Sequence, residues 1–169
     1  MIENPLREKR YFVDTEYVWL PNEGRIEPLS IGVVGEDGRE FYRQNQNCYP
    51  DSDFVRQHVW DKMDNLDWWH HRDGDTFPWT TIPDMRRDLL VFIGDDTPQF
   101  WGDYAAFDYV VLSMLMGAFE DWPEHWPMHI NDFQQDAIPS MQSEIPHHAL
   151  SDARAMRDAW DHAFSGELA

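Results

Sequence analysis

The sequence predicts an α/β domain built on a mixed sheet, and three observations carry this. Residues 11–17, Tyr-Phe-Val-Asp-Thr-Glu-Tyr, are a short apolar run broken by two acids, with the period-two alternation of a strand. Two further apolar runs follow at short, turn-like spacings, as in an antiparallel meander. From residue 51 onward, segments with helical spacing are interleaved with short strands, an order that belongs to α/β architectures.

Taken in order, the first strand turns Phe12, Asp14 and Glu16 to one face and Tyr11, Val13, Thr15 and Tyr17 to the other. Residues 21–25 make a turn, 27–34 a second strand, and Glu36-Asp37-Gly38 a tight turn into a third strand at 39–42. Asp51 or Ser52 caps a helix that carries Phe54, Val55, His58, Val59 and Met63 at helical spacing. Residues 64–80 have no clean period and read as a loop whose tryptophans could cover the core, a partner or unstacked bases, with packing on the core or its rim favoured. Thr81 to Asp84 has capping-box spacing, with Asp in place of the usual Glu. It opens a helix with Met85, Leu89, Phe92 and Ile93 inward and Gly94 near its end. Residues 99–102 form a short strand, and a helix from about Tyr104 to Met116 is stopped by Gly117. One more short strand is expected around Met128–Ile130, then a last helix from about Ala149 to Phe164. With no repeats or linkers, the 169 residues read as a single domain whose core spans about residues 10–164.

A hydrophobic content of 42% and nine tryptophans exclude a disordered chain. The lone Cys48 excludes an internal disulfide and a cysteine-rich zinc site, and fits a reducing compartment. The polar N-terminus lacks a signal-peptide core, and no window approaches a membrane span, so a soluble cytoplasmic protein is expected. The formal charge is −19, and from Asp88 to Ala153 twelve acids occur without one Lys or Arg. Such a surface opposes nonspecific nucleic-acid binding, which needs cationic phosphate contacts. Part of the acidity changes meaning if it cradles cations that reverse the local sign.

Asp14 and Glu16 lie side by side on a strand otherwise fit for a core, where they repel each other and resist desolvation. A divalent cation removes both penalties, and oxygen-only ligands suit Mg²⁺ or Mn²⁺. An edge strand with two solvated acids satisfies the same pattern. Asp108 falls in the first turn of an apolar helix after a strand, where α/β sheets place ligands and the helix N-terminus tolerates charge. Ordinary acid enrichment in a first turn is the plain alternative. Asp152 sits early in the last helix beside the small Ala149, Ala153 and Ala155, which permit close approach to a sheet. His147 precedes that helix on a loop, and an imidazole is suited to taking a proton from an attacking water. A surface histidine pair and a solvated acid explain these two equally well. His70 with Asp75, Asp51 with Asp53 and Asp73 with Asp75 mimic the same spacings in polar segments, but none stands in the right order along the chain.

As an ordered set, Asp14, Glu16, Asp108, His147 and Asp152 resemble the DEDDh 3′–5′ exonucleases of the ribonuclease H-like superfamily, over about residues 10–160. Residues 12–16, 26–34 with 36–40, and 149–154 look like their equivalents in the small RNase T-like exoribonucleases known from mycobacteria. The resemblance implies a ribonuclease H-like α/β fold with a five-stranded mixed sheet flanked by helices. It also implies metal-dependent release of nucleoside 5′-monophosphates from single-stranded RNA or DNA 3′ ends, with RNA favoured. Asp14, Glu16 and Asp152 would hold one Mg²⁺ or Mn²⁺. Asp14, with Asp108 through water, would place a second, and His147 would be the general base. His148 stands at the spacing that a tyrosine uses in the sister DEDDy group, so the longer spacing assigns the base to His147. Members of the family often pair, which implies a homodimer. Asp103 departs from the Asn or His that many members carry near this position, and the tryptophan-rich 60–79 and 119–126 carry no transferable role. Phosphate contacts are left to Arg72, Arg154 and Arg157. Two other functions fit: an RNA-end binding protein with an inactive site, and a phosphodiesterase for very short oligonucleotides, which the net charge would suit.

Overall fold

The computed structural model describes residues 8–20, 22–50, 52–63 and 79–164, and in it the strand that carries Asp14 and Glu16 lies inside the sheet. Strands β1 (Glu8–Leu20), β2 (Arg25–Gly35) and β3 (Glu40–Asn45) form the antiparallel meander. A helical run of Asp53–Val55, Arg56–Trp60 and Asp61–Met63, with a π-helical middle, makes α1. Then come β4 (Trp79–Thr80), α2 (Ile82–Ile93), β5 (Thr97–Gly102), α3 (Ala106–Met116), β6 (Asn131–Asp132) and α4 (Ala149–Phe164). Among the described residues the sheet has six strands in the order β4-β3-β2-β1-β5-β6, with β4, β5 and β6 each parallel to its inner neighbour. The architecture is the mixed α/β one expected, with one strand more. That strand, β4, falls inside the expected loop, and β6 lies at Asn131–Asp132 rather than around Met128–Ile130. Both are two-residue strands held by long-range pairing to Gln44–Asn45 and Trp101–Gly102, so no local period marks them.

Element ends follow local chemistry. Ser52 and Thr81 cap α1 and α2 by accepting from the amides of Val55 and Asp84. Tyr104 has φ 56° and cannot belong to a right-handed helix, which delays α3 to Ala106. β1 begins at Glu8, before the apolar run, because the buried Lys9 is matched. Its ammonium donates to Asp37 Oδ2 at 2.6 Å and Asp96 Oδ2 at 3.3 Å, and the Tyr11 hydroxyl donates to the same Asp96 oxygen at 2.6 Å. This group ties the start of β1 to the β2–β3 turn and to the segment before β5.

The alternation of β1 separates two cores. Tyr11 and Val13 pack with Met85, Leu89 and Ile93 of α2 and with Leu112, Leu115 and Met116 of α3. Phe12 packs on the other face with Ala149, Leu150, Ala153 and Met156 of α4. Val18 joins Leu29, Cys48, Val59 and Met63 in a smaller cluster against α1. Trp122 and Trp126 belong to the first core, and Trp60 and Trp79 flank the third, with rings 5.4 Å apart. The remainder of the tryptophan-rich stretch, 64–78, lies outside the described residues. No helix among the described residues is long and apolar enough to cross a membrane.

One glycine decides how near α4 can come. Gly32 is the register partner of Asp14, so the two share a sheet face. A Cβ on Gly32 would lie 2.4 Å from the backbone of Ala149 and Leu150. Backbone cannot yield as a flexible side chain does, so Gly32→Ala should push α4 off the sheet. The expected cost is about 1–3 kcal/mol, the range for overpacking. At roughly 2–4 °C per kcal/mol for a chain of this size, thermal melting will read it easily. A melting temperature equal to the parent's would show that the contact is not a constraint.

Candidate active site

Three elements converge on one spot. Asp14 and Glu16 project from β1 toward α4, and the close seat of α4 on Gly32 brings Asp152 beside them. One carboxylate oxygen from each of Asp14, Glu16 and Asp152 lies within 4.8 Å of the others. Opposed oxygens around an ion with bonds of roughly 2.1 Å stand about 4.2 Å apart, so small side-chain rotations suffice to close this set on a cation.

Asp108 approaches from α3. It is buried, and its Oδ1 accepts from the Thr15 amide at 2.9 Å and the Thr15 hydroxyl at 2.7 Å. Thr15 stands between the two acids of β1, so these bonds fasten the helix to the strand at the site itself. A Cβ on Gly102 would lie 3.1 Å from Asp108 Oδ2 and 2.9 Å from Ala105 Cβ, so the end of β5 must be bare for Asp108 to fit. Asp132 of β6 accepts from the Ala105 amide at 2.8 Å and holds the turn that starts α3.

Burial and mutual repulsion dominate the electrostatics. Burial, then the charges of Asp108, Glu16 and Asp152, hold the Asp14 carboxyl well above the usual range. Glu16 is pushed up to about 8 by burial, then by Asp152 and Asp108. Asp108 is pushed up to about 7 by burial, which outweighs its two bonds from Thr15. Asp152 is raised by burial, against hydrogen bonds from the Ser143 side chain and the His147 amide. Acids that hold protons near neutral pH lack positive charge, and the oxygen-only donor set matches Mg²⁺ or Mn²⁺. The residues fit such ions.

Beside the acids is a cleft of about 330 Å³, lined by Asp14, Asp103, Tyr104, Ser140, His147 and Asp152 among others. His147 is exposed in the left-handed region at φ 63°, and its amide donates to Asp152 Oδ2 at 2.9 Å. Its ring lies 6.0 Å from that of Phe54 and 6.4 Å from that of His58, both on α1. His148 is placed differently. It is 2% exposed and stacked 4.7 Å from Tyr42, and burial pushes its imidazole down to about 4. Asp103 is in the cleft wall, with its carboxylate accepting from Gln134 Nε2 at 2.7 Å and Ser140 Oγ at 2.6 Å.

The arginines lie elsewhere. Arg154 forms a two-pronged pair with Glu40 at 2.8 and 2.9 Å, and Arg157 pairs with Asp161 at 3.3 Å. Neither is among the residues lining the cleft, and Arg72 lies outside the described residues. The cation that sequence reasoning missed is Lys62. Its ammonium donates to the Pro146 carbonyl at 2.6 Å, and its charge opposes the upward shifts of Glu16 and Asp152. The available signal was scarcity, since the chain has two lysines and the other, Lys9, is buried in the ion-pair group above.

A mixed sheet with acids from β1, α3 and α4 gathered at one cleft defines a candidate phosphoryl-hydrolase centre, and the comparisons agree with that class. Residues 9–164 match the family model described as the 3′–5′ exoribonuclease Rv2179c-like domain, and the chain belongs to that family. It is 32% identical over 158 residues to the 3′–5′ exoribonuclease Rv2179c of Mycobacterium tuberculosis strain ATCC 25618 / H37Rv. That match covers 86% of this chain and 87% of the relative. The 3′–5′ exoribonuclease MT2234.1 of strain CDC 1551 / Oshkosh matches at the same identity and coverage.

The raised carboxyl pKa values set a sign for stability against pH. A folded state that holds protons more tightly than the unfolded chain is favoured below the unfolded pKa values. That advantage is lost as pH rises through the folded ones, here about 7 and 8 for Asp108 and Glu16. In chelator, the melting temperature should therefore fall between pH 5 and pH 8. Mn²⁺ should raise it by binding linkage, and more at pH 8 than at pH 5, where protons compete for the same oxygens. Asp14→Asn should raise the melting temperature in chelator at pH 8 and abolish most of the Mn²⁺ gain. A gain of equal size in parent and Asp14→Asn would move the cation site elsewhere.

Proposed function

We propose that the chain is a DEDDh-type 3′–5′ exoribonuclease in which Asp14, Glu16, Asp108 and Asp152 serve two divalent cations and His147 is the general base. The observation that best supports this is the convergence of Asp14, Glu16 and Asp152 within 4.8 Å beside an exposed histidine in the cleft. Asp14, Glu16 and Asp152 would hold one Mg²⁺ or Mn²⁺, and Asp14, with Asp108 through water, a second. Ions bound there supply the charge that acidifies the attacking water and stabilises the departing 3′ oxygen.

The chain's own residues do the rest. His147 accepts the water's proton on a ring nitrogen as the water oxygen bonds to phosphorus. The bond from phosphorus to the 3′ oxygen breaks, that oxygen is protonated, and a nucleoside 5′-monophosphate leaves. Asp152 accepts the His147 amide and so fixes the turn that presents the imidazole. Thr15 holds Asp108, which keeps α3 registered against β1. Exposed rings of Tyr104 in the cleft wall and Phe54 beside His147 offer faces for unstacked bases. RNA is favoured because both relatives are named exoribonucleases. A formal charge of −19 favours short single strands over long duplexes. A cytoplasmic setting belongs to the same reading, supported by the lone buried thiol of Cys48.

The test is a 5′-labelled single-stranded RNA incubated with Mn²⁺, with and without chelator. A ladder shortening from the 3′ end, stopped by chelator, is the expected result. Internal cuts or chelator-resistant cleavage would sink the reading, and turnover confined to dinucleotides would recast the protein as a phosphodiesterase for very short substrates.

The two histidines separate by phenotype. His147→Ala should lower the rate by about 10²- to 10⁴-fold while the Mn²⁺-dependent rise in melting temperature survives. His148→Ala should lower the melting temperature, since it removes a buried ring stacked on Tyr42, and its remaining folded fraction should keep the parent's pH–rate profile. A crippled His148 variant beside an active His147 variant would reverse the assignment.

A further inference from the structure

The described surface near the acids carries one feature that the proposed chemistry does not use. Lys62, at the end of α1, reaches 84 residues along the chain to the turn that bears His147 and donates to the Pro146 carbonyl at 2.6 Å. Pro146 directly precedes His147, whose left-handed φ of 63° is uncommon for a residue other than glycine and needs support from its surroundings. Hydrogen bonds also support the turn from its own side: the His147 amide to Asp152 Oδ2 at 2.9 Å, the Ile145 amide to Ser151 Oγ at 2.9 Å and the His148 amide to the Ile145 carbonyl at 3.2 Å. The Lys62 bond ties the backbone of this turn to α1, as the stack of His148 on Tyr42 ties it to β3. Phe54 and His58, about two turns and one turn earlier on α1, lie edge-on or tilted against the His147 ring and each other.

We propose that Lys62 is a positioning residue, a clasp that holds the 145–148 turn against α1 so that the His147 imidazole stays aimed over Asp14, Glu16 and Asp152. This rests on the general-base reading of His147. The choice of a carbonyl as acceptor fits the location. A carbonyl bond anchors the ammonium without taking an oxygen from Asp152 or Glu16, both of which are needed for cations. Lysine suits the role because its stem packs along apolar surface while its head stays polar.

Three variants test the clasp: Lys62→Met, Lys62→Arg and Lys62→Met combined with His147→Ala. Each is measured with single-stranded RNA and Mn²⁺, and metal-free Lys62→Met is compared with the parent by amide hydrogen exchange. Lys62→Met should lower kcat by about tenfold to a hundredfold, the scale of a misplaced reacting group, with KM nearly unchanged. Lys62→Arg, which can still donate to the carbonyl, should recover most of the loss. In the His147→Ala background, Lys62→Met should cost nothing further, because the two act as one unit. Exchange at the His147 and His148 amides should be faster in Lys62→Met.

A raised KM with a flatter salt dependence would make Lys62 a phosphate contact instead and overturn the proposal. So would an equal kcat loss in both backgrounds, or unchanged exchange at the two amides. If His147→Ala alone keeps the parent's kcat, the general-base reading fails, while the exchange result still decides whether the clasp exists.

Discussion

Mutual repulsion among partly and fully buried carboxylates is the constraint around which the protein is arranged. Asp108 is buried and Asp14, Glu16 and Asp152 are half-buried, and each is held above its ordinary pKa with burial as the largest cause. Left to local forces, such groups would separate or turn to solvent. They stay together because β1, α3 and α4 are locked by contacts that the acids do not make. A cation held by the clustered Asp14, Glu16 and Asp152 would offset that cost.

Those locks are specific. α4 lies against the sheet because Gly32 has no side chain, and α3 meets β1 because Gly102 leaves room for Asp108 and Thr15 bonds to it. At the other end of β1, Lys9, Asp37, Asp96 and Tyr11 tie the strand to its neighbours through buried or half-buried ion pairs. A strand anchored at one end by matched charges can carry unmatched ones further along. The two apolar cores on either face of β1 supply the cooperative stability that resists opening near the acids.

Charge on the wider surface has a different logic. A formal charge of −19 argues for solubility and against nonspecific phosphate binding. Arg154 and Arg157 are committed to Glu40 and Asp161. Neither lines the cleft, whose wall includes carboxylates together with the exposed Tyr104 ring. Asp103, an acid in the cleft wall, is kept in place by Gln134 and Ser140, which bridge β5 to the segment after β6.

Much of this was legible in the residues. The alternation of 11–17 assigned Asp14 and Glu16 to the face of Phe12, and the two cores divide along that alternation. The capping residues Ser52 and Thr81 and the stops at Gly94 and Gly117 also follow from local backbone chemistry, because a cap or a left-handed glycine acts within a few residues. Tertiary structure alone decided what depends on distant partners. β4 and β6 exist only as bridges to other strands, and β1 extends back to Glu8 only because acids 28 and 87 residues away match Lys9. Which of His147 and His148 faces the cleft depends on a left-handed turn and on the Tyr42 ring that covers the second histidine. Lys62 had no spacing rule to announce it, because the sheet and α1, not the chain, bring it to the His147 turn. Period and capping are local properties of a sequence, whereas burial, pairing and charge compensation are set by whatever the fold brings near.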